Sequence, residues 1–370
     1  MNYFFEHFTF WDYGVLFKFV LGIYILISSI ILRITEKKSN LFLRQDRNLL
    51  ISYVVFLIFW SGTRGIRIGT DTINYFNFYY LRGIRIDNLI DFFTTFKTDF
   101  LFEVVMYLTF PFKSFTFFLF SISAIFNIAL YFFARKFSNY GKDGSSLMLF
   151  LTITCSFSFI NMELNIVRNA LSITFVLLGL FYVLNKKTKM SVIFFIIAYL
   201  FHGTALIPII TIILCNLSSK IELKYFIGLY ILAIGLAFIG FGFQSIPFLQ
   251  NINSEDFKRL IFTGETKYRI GFRIDFVLYN SFFLFLFIKF SNLKNNKDIF
   301  LIKYFIITSI IFFFNFKVPF SDRIGLYSWI AIPILLFNTV KNSFPQKKLY
   351  ISTIVTIGFF VLNYLILFPS

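Results

Sequence analysis

Long apolar runs recur along the whole chain, separated by short polar segments, and each run of sufficient length reads as a membrane-spanning helix. The first covers residues 15–34 and is followed by Arg33, Lys37, Lys38, Arg44 and Arg47, a dense basic loop. The positive-inside rule puts that loop in the cytoplasm and the N-terminus outside. A second span over 49–61 returns the chain to the outer face, where 62–100 forms a polar external segment. Residues 100–112 are apolar but too few to cross, so a re-entrant or interfacial half-helix is expected there. Spans follow at 115–134, 146–160 and 165–184, with Lys and Arg clustered at their inner ends.

The run 190–217 is interrupted by Phe201-His202-Gly203-Thr204, and Pro208 lies just beyond. One span would invert the rest of the chain; a hairpin of two short helices would not. Downstream Lys and Arg counts do not separate the two. The hairpin is preferred because a polar break is tolerated where backbone is buried in protein. Further spans at 224–243, 275–288, 299–316, 324–338 and 349–368 then flank a second external segment, 244–272. The expected fold is all-α and polytopic: one integral membrane domain over 1–370, with about ten full spans, a helical hairpin and a half-helix.

Composition agrees with this class. Apolar residues are 58% of the chain and charged residues 14%, with a mean hydropathy of +0.78. The net charge of +17 is spread thinly among spans, which argues against nucleic acid and for basic loops that meet anionic lipid or ligand. Cys155 and Cys215 both lie inside apolar runs, so neither a disulfide nor a metal site is indicated.

The stretch from Arg64 to Tyr80 does not fit simple anchoring. It gathers Arg64, Arg67 and Asp71 with Gly65, Gly69 and the aromatics Tyr75, Tyr79 and Tyr80 at a membrane exit. An external carboxylate beside arginines can take a proton from a hydroxyl while a guanidinium holds a developing anion; an exposed salt bridge is the plainer alternative. Glu103, in the half-helix, is either a second acid or base or an interfacial glutamate. Arg168 faces the bundle interior or snorkels. His202 is either an acid or base near neutral pH or a cap on the helix break. Arg273 with Asp275, and Arg323 after Asp322, are interfacial anchors or ligand contacts. Taken together, the outward-facing sites are arginines while the inner loops are mainly lysines. Arginine suits bidentate recognition of phosphate, so an outward cavity for an anionic ligand is expected. The sequence holds no Walker A loop, dinucleotide fingerprint, HExxH motif, GxSxG elbow or Asp-x-Asp pair, and no cofactor or metal is expected.

These residues have a family resemblance. Arg64-Gly-x-x-x-Gly-Thr-Asp71-Thr-x-Asn-Tyr75 resembles the signature of the EpsG family, which includes Wzy-type O-antigen and capsule polymerases. Phe102-Glu103, Asn165-Ile-Val-Arg168-Asn, Phe201-His202-Gly-Thr-Ala, Arg273-Ile-Asp275 and Arg323-Ile-Gly-Leu-Tyr resemble later motifs in the family's order. The chain departs from the family at Asn169, where glutamine is common, at Thr204, where serine is usual, and at Arg67, often a neutral residue. The resemblance implies a bacterial inner-membrane glycosyltransferase of the multi-span (GT-C-like) class. Its donor and acceptor would be undecaprenyl-diphosphate-linked glycans, joined at the periplasmic face, with a chain-length regulator as a possible protein partner. Asp71 is then the expected base, with Glu103 or His202 as substitute. Arg168, Arg273 and Arg323 would hold the diphosphate beside Asp275, Arg64 would orient Asp71, and Tyr75 would stack on sugar. A lipid-linked oligosaccharide flippase and a membrane polysaccharide ligase are the competing classes.

Overall fold

The computed structural model describes residues 10–85, 99–246 and 270–367. Parts of both expected external segments, 86–98 and 247–269, lie outside the described residues. Every regular element among the described residues is helical. In chain order these are α1 (Phe10–Thr35), α2 (Ser39–Gly62), α3 (Thr72–Arg85), α4 (Phe100–Thr109), α5 (Phe115–Phe137), α6 (Ser146–Thr154), α7 (Phe159–Leu164), α8 (Val167–Leu184) and α9 (Thr188–Phe201). They continue with α10 (Leu206–Leu217), α11 (Leu223–Phe238), α12 (Ile274–Phe290), α13 (Asn296–Phe313), α14 (Asp322–Trp329), α15 (Ala331–Ser343) and α16 (Lys348–Phe360), which runs on as a π-helical turn.

Five stretches among the described residues are long and apolar enough to cross a membrane: Asp12–Thr35, Phe115–Phe137, Val167–Leu184, Asp322–Ser343 and Pro345–Leu367. α1 shows why lipid is their solvent. Tyr13, Phe17, Leu21, Ile25 and Leu32 form its buried stripe, yet Phe19, Ile23, Leu26, Ile30 and Ile34 on the other side are apolar and exposed. A helix that is apolar all round is stable only in a core or a bilayer. The protein is an all-α, multi-pass membrane protein.

The helices group into two compact units. One contains the described residues up to Ala205 and those from Gln346 onward; the other is Leu206–Pro345. In the first, α5 touches α2, α4, α6 and α8, and α9 packs along α8. Ser114 starts α5, its Oγ accepting the Phe117 N–H at 3.2 Å, as an N-cap serine should. Asp46 of α2 closes the start of α6 in the same way from outside, accepting from Ser145 Oγ, Ser146 N and Leu147 N. A carboxylate there also complements the helix dipole.

The expected span 146–160 is broken. α6 ends at Thr154 and α7 begins at Phe159, leaving buried non-helical backbone between them. Tyr364 makes this possible, because its hydroxyl donates to the carbonyls of Thr154 and Ser156, both at 2.8 Å. The polar residues Thr154, Ser156 and Ser158 mark the break; the local Phe159 N–H serves the Ser156 carbonyl, and the distant tyrosine adds the donor that the local sequence does not reveal. The interruption in 190–217 is likewise a helix end: α9 stops at Phe201, and His202 is extended with φ −166° and ψ 129°.

In the second unit α13 touches α10, α11, α12, α14 and α15. Lys303, buried on α13, donates to the carbonyls of Ser218 at 2.8 Å and Ile221 at 2.6 Å just past the end of α10. That lysine serves the orphan carbonyls of a helix end.

Candidate active site

The loop between α2 and α3 is clasped to the link between α7 and α8. Asn165 is the clasp: its Oδ1 accepts the Thr70 N–H at 2.7 Å, its carbonyl accepts the Tyr75 hydroxyl at 3.1 Å, and its Nδ2 donates to Asn161. Gly69 allows the approach. Its φ is +92°, and a Cβ there would lie 2.6 Å from the Leu164 carbonyl and 2.7 Å from Asn165 Oδ1. Backbone freedom and absence of a side chain are thus both required. Gly69→Ala is expected to destabilise the protein by about 1–3 kcal/mol, read as a lower melting temperature of the detergent-solubilised chain.

That clasp brings Tyr75 beneath Arg168, whose guanidinium sits 5.9 Å from the ring centroid. Arg168 lies in the first turn of α8, where the helix dipole opposes a cation. A carboxylate compensates: Arg168 Nη1 donates to Asp99 Oδ2. The other oxygen, Asp99 Oδ1, is 2.8 Å from His202 Nδ1. Asp99 occupies the N-cap position of α4, yet its side chain makes no capping bond to that helix. It is turned instead to the arginine and the histidine. Burial alone would push the Asp99 carboxyl up, but the hydrogen bond and charge of His202 and of Arg168 outweigh it and hold the group below its ordinary value. Asp99 therefore stays ionised at neutral pH, and its stabilising contribution is lost only as pH falls below the ordinary carboxylate value of 3.8.

Asp99, Arg168, His202 and Tyr75 thus form one cluster, with Asn169 beside it through a long contact from Thr204 at 3.5 Å. Asp99 was not a sequence candidate. An aspartate before an apolar helix reads as a cap, and its use for two residues roughly 70 and 100 positions away leaves no local signal. With Asp99 holding Nδ1, the imidazole presents Nε2 as its remaining basic nitrogen. Arg168, about a third exposed, keeps further donors for an anion.

The remaining candidates are placed as follows. Asp71 is half-buried at the start of α3, where its carbonyl accepts the Tyr75 N–H. Glu103 is half-buried in the first turn of α4. Arg67 is exposed. Arg64 turns inward and is 3% exposed, its Nη1 donating to the Ser61 carbonyl and hydroxyl at 2.9 and 2.8 Å. It lies within electrostatic reach of Glu163, equally buried, whose Oε1 accepts from Ser123 and Asn127. Arg64 Nε and Nη2 and Glu163 Oε2 make no hydrogen bond. In the second unit Arg273 grips Asp275 with two bonds, 3.0 and 2.6 Å, and lies over the Phe276 ring. Arg323 lies over Phe320, and Asp322 is within electrostatic reach of both arginines. No group of three or more His, Cys, Asp or Glu among the described residues is arranged to hold a metal.

No curated protein and no solved structure matches the chain significantly. The sequence profile of the EpsG family, by contrast, matches residues 47–370, a stretch holding the Asn165 clasp and the whole Asp99 cluster, and the chain belongs to the EpsG family.

Proposed function

We propose that this protein is a glycosyltransferase that polymerises undecaprenyl-diphosphate-linked oligosaccharide repeat units into an O-antigen- or capsule-type polysaccharide at the periplasmic face of the bacterial inner membrane. The observation that carries the reading is the His202–Asp99–Arg168 cluster, in a chain whose family implies lipid-linked glycan substrates. His202 Nε2 takes the proton of an acceptor hydroxyl as that oxygen bonds to the anomeric carbon of the donor. The bond from the same carbon to the diphosphate oxygen breaks, and the diphosphate leaves with the electron pair. Asp99 fixes the imidazole and stabilises the imidazolium that forms. Arg168 offers donors to the charge developing on the leaving group. Arg273, restrained by Asp275, and Arg323 offer further guanidinium donors of the kind that suits an anionic substrate group. Lipid-linked glycan is both donor and acceptor, and no cofactor is required because the lipid diphosphate is itself the leaving group. A chain-length regulator is the proposed protein partner.

His202 is favoured over Asp71 as base because it has a dedicated orienting carboxylate. Complementation of a strain lacking the gene tests this. His202→Asn is expected to leave single repeat units capped on the lipid acceptor, seen as the loss of the polymer ladder on a gel. Asp71→Asn is expected to keep the ladder. Loss of single units as well as polymer would point to flippase or ligase activity instead, and a full ladder from His202→Asn would remove His202 from the mechanism.

A further inference from the structure

The first unit carries a second polar feature at the far end of α2. Ser39 begins that helix, while Ser61 near its other end reaches toward the Glu163 carbonyl below the active-site loop. At 1.5 Å per residue the two serines are separated by about 33 Å, close to a bilayer's hydrocarbon thickness. Around Ser39 lies a cavity of about 310 Å³, lined among others by Glu36, Gly141, Lys142, Gly144 and Lys348. This volume falls at the small end of ligand-pocket sizes.

The charge inside it is unbalanced. Glu36 is drawn off by Arg33, at 2.7 Å. Lys348 Nζ donates to the Lys142 carbonyl at 2.6 Å, which pins one ammonium at the cavity wall beside a second, exposed lysine. Among the described residues Lys142 and Lys348 form no ion pair with a carboxylate. Lys37, Lys38 and Lys347 adjoin in sequence against one adjoining carboxylate, Asp143, so the surroundings are net cationic too. α1 ends at Thr35, next to the lining residue Glu36, and its last turns expose Ile27, Ile30 and Ile34, at 52%, 60% and 74%. Arg33 on the same turns lies over the ring of Tyr350, itself 52% exposed. A cationic pocket next to an apolar helix face matches a molecule with an anionic head and acyl tails. A free phosphate would account for the lysines but not for the isoleucines.

We propose that this cavity binds the phosphodiester headgroup of an anionic phospholipid, with the acyl chains lying along Ile27, Ile30 and Ile34. Lys142 and Lys348 supply the charge. The site is separate from the Asp99 cluster and does not depend on the proposed activity.

The test uses the full-length, delipidated protein in neutral detergent and measures stabilisation on titration with phosphatidylglycerol, phosphatidylcholine or inorganic phosphate. Phosphatidylglycerol is expected to raise the melting temperature at concentrations where phosphatidylcholine and millimolar phosphate do not. The Lys142→Gln, Lys348→Gln double variant is expected to bind phosphatidylglycerol about 10- to 30-fold more weakly. Lys348→Arg keeps the charge and is expected to retain binding, which separates lost recognition from lost folding. Lys186→Gln with Lys189→Gln removes equal charge around the start of α9 and should leave the affinity unchanged. Equal response to both lipids, a response to phosphate matching that to phosphatidylglycerol, or equal weakening by the two double variants would each overturn the proposal.

Discussion

Replacing Asp99 with asparagine is expected to lower the rate of polymer formation by about 10²–10⁴-fold, with little change in the KM for lipid-linked acceptor. Asparagine matches aspartate in shape, so the loss is one of electronics. The carboxylate accepts from His202 Nδ1 and leaves Nε2 as the proposed base; an amide can donate its N–H to Nδ1 and drive the proton onto Nε2. The imidazolium formed during the reaction also loses its counter-charge. In the proposed mechanism Asp99 acts through His202 as a positioning residue, which a kcat-specific effect would identify. Because the two residues act as a unit, the Asp99→Asn, His202→Asn double variant should be no slower than His202→Asn alone. Additive losses would show that Asp99 serves Arg168 or the fold instead. Rates would be measured with purified protein and lipid-linked repeat units.

The second large effect is on stability and centres on Glu163 and Arg64, which lie buried with unmatched polar atoms. Their responses to losing each other are unequal. Burial pushes the Glu163 carboxyl up to about 7, so this group can take a proton if its partner is removed. Burial brings the Arg64 guanidinium down only to about 10, so it stays charged. Glu163→Ala therefore strands a buried cation and is expected to cost about 3–5 kcal/mol. Arg64→Met strands a carboxylate that can neutralise itself, and is expected to cost about 1–3 kcal/mol. Comparing melting temperatures of the solubilised variants at pH 7 checks the order; a larger loss from Arg64→Met would refute the asymmetry.

The same carboxyl predicts a pH dependence. Its folded value of about 7 exceeds the ordinary 4.5, so the folded chain binds the proton more tightly than the unfolded one. The resulting stability is complete below pH 4.5 and is lost as pH rises through 7. Glu163→Gln should flatten that slope, since nothing remains to titrate.

Much of the membrane character was legible in the chain because the bilayer imposes its length and polarity on every span. The 115–134 and 165–184 runs correspond to α5 and α8 within a few residues. The run 146–160 was read as one helix because its apolar pattern continues across Thr154; the hydroxyl that stabilises the break comes from Tyr364, some 200 residues on. Gly69 was visible as a position where backbone must turn or approach, though not the Leu164 and Asn165 backbone and side chain it approaches.

The site divides in the same way. The ordered motifs identified Arg64, Tyr75, Arg168 and His202 as chemically interesting, since arginine and histidine at a membrane boundary are costly without a purpose. Side-chain direction was not in the pattern. Arg64 and Arg168 look alike in the sequence, yet one is sealed among Ser61 and Glu163 while the other meets Asp99 and stays about a third exposed. What the sequence by itself determined is the class of protein, all-α and multi-pass, and where its arginines and histidines stand between apolar runs, because these follow from local composition and spacing. The tertiary structure alone decided which carboxylate serves the histidine. Asp99, Arg168 and His202 approach one another only when α4, α8 and α9 pack, and contact across such separations is set by packing, which leaves no periodic trace in the chain.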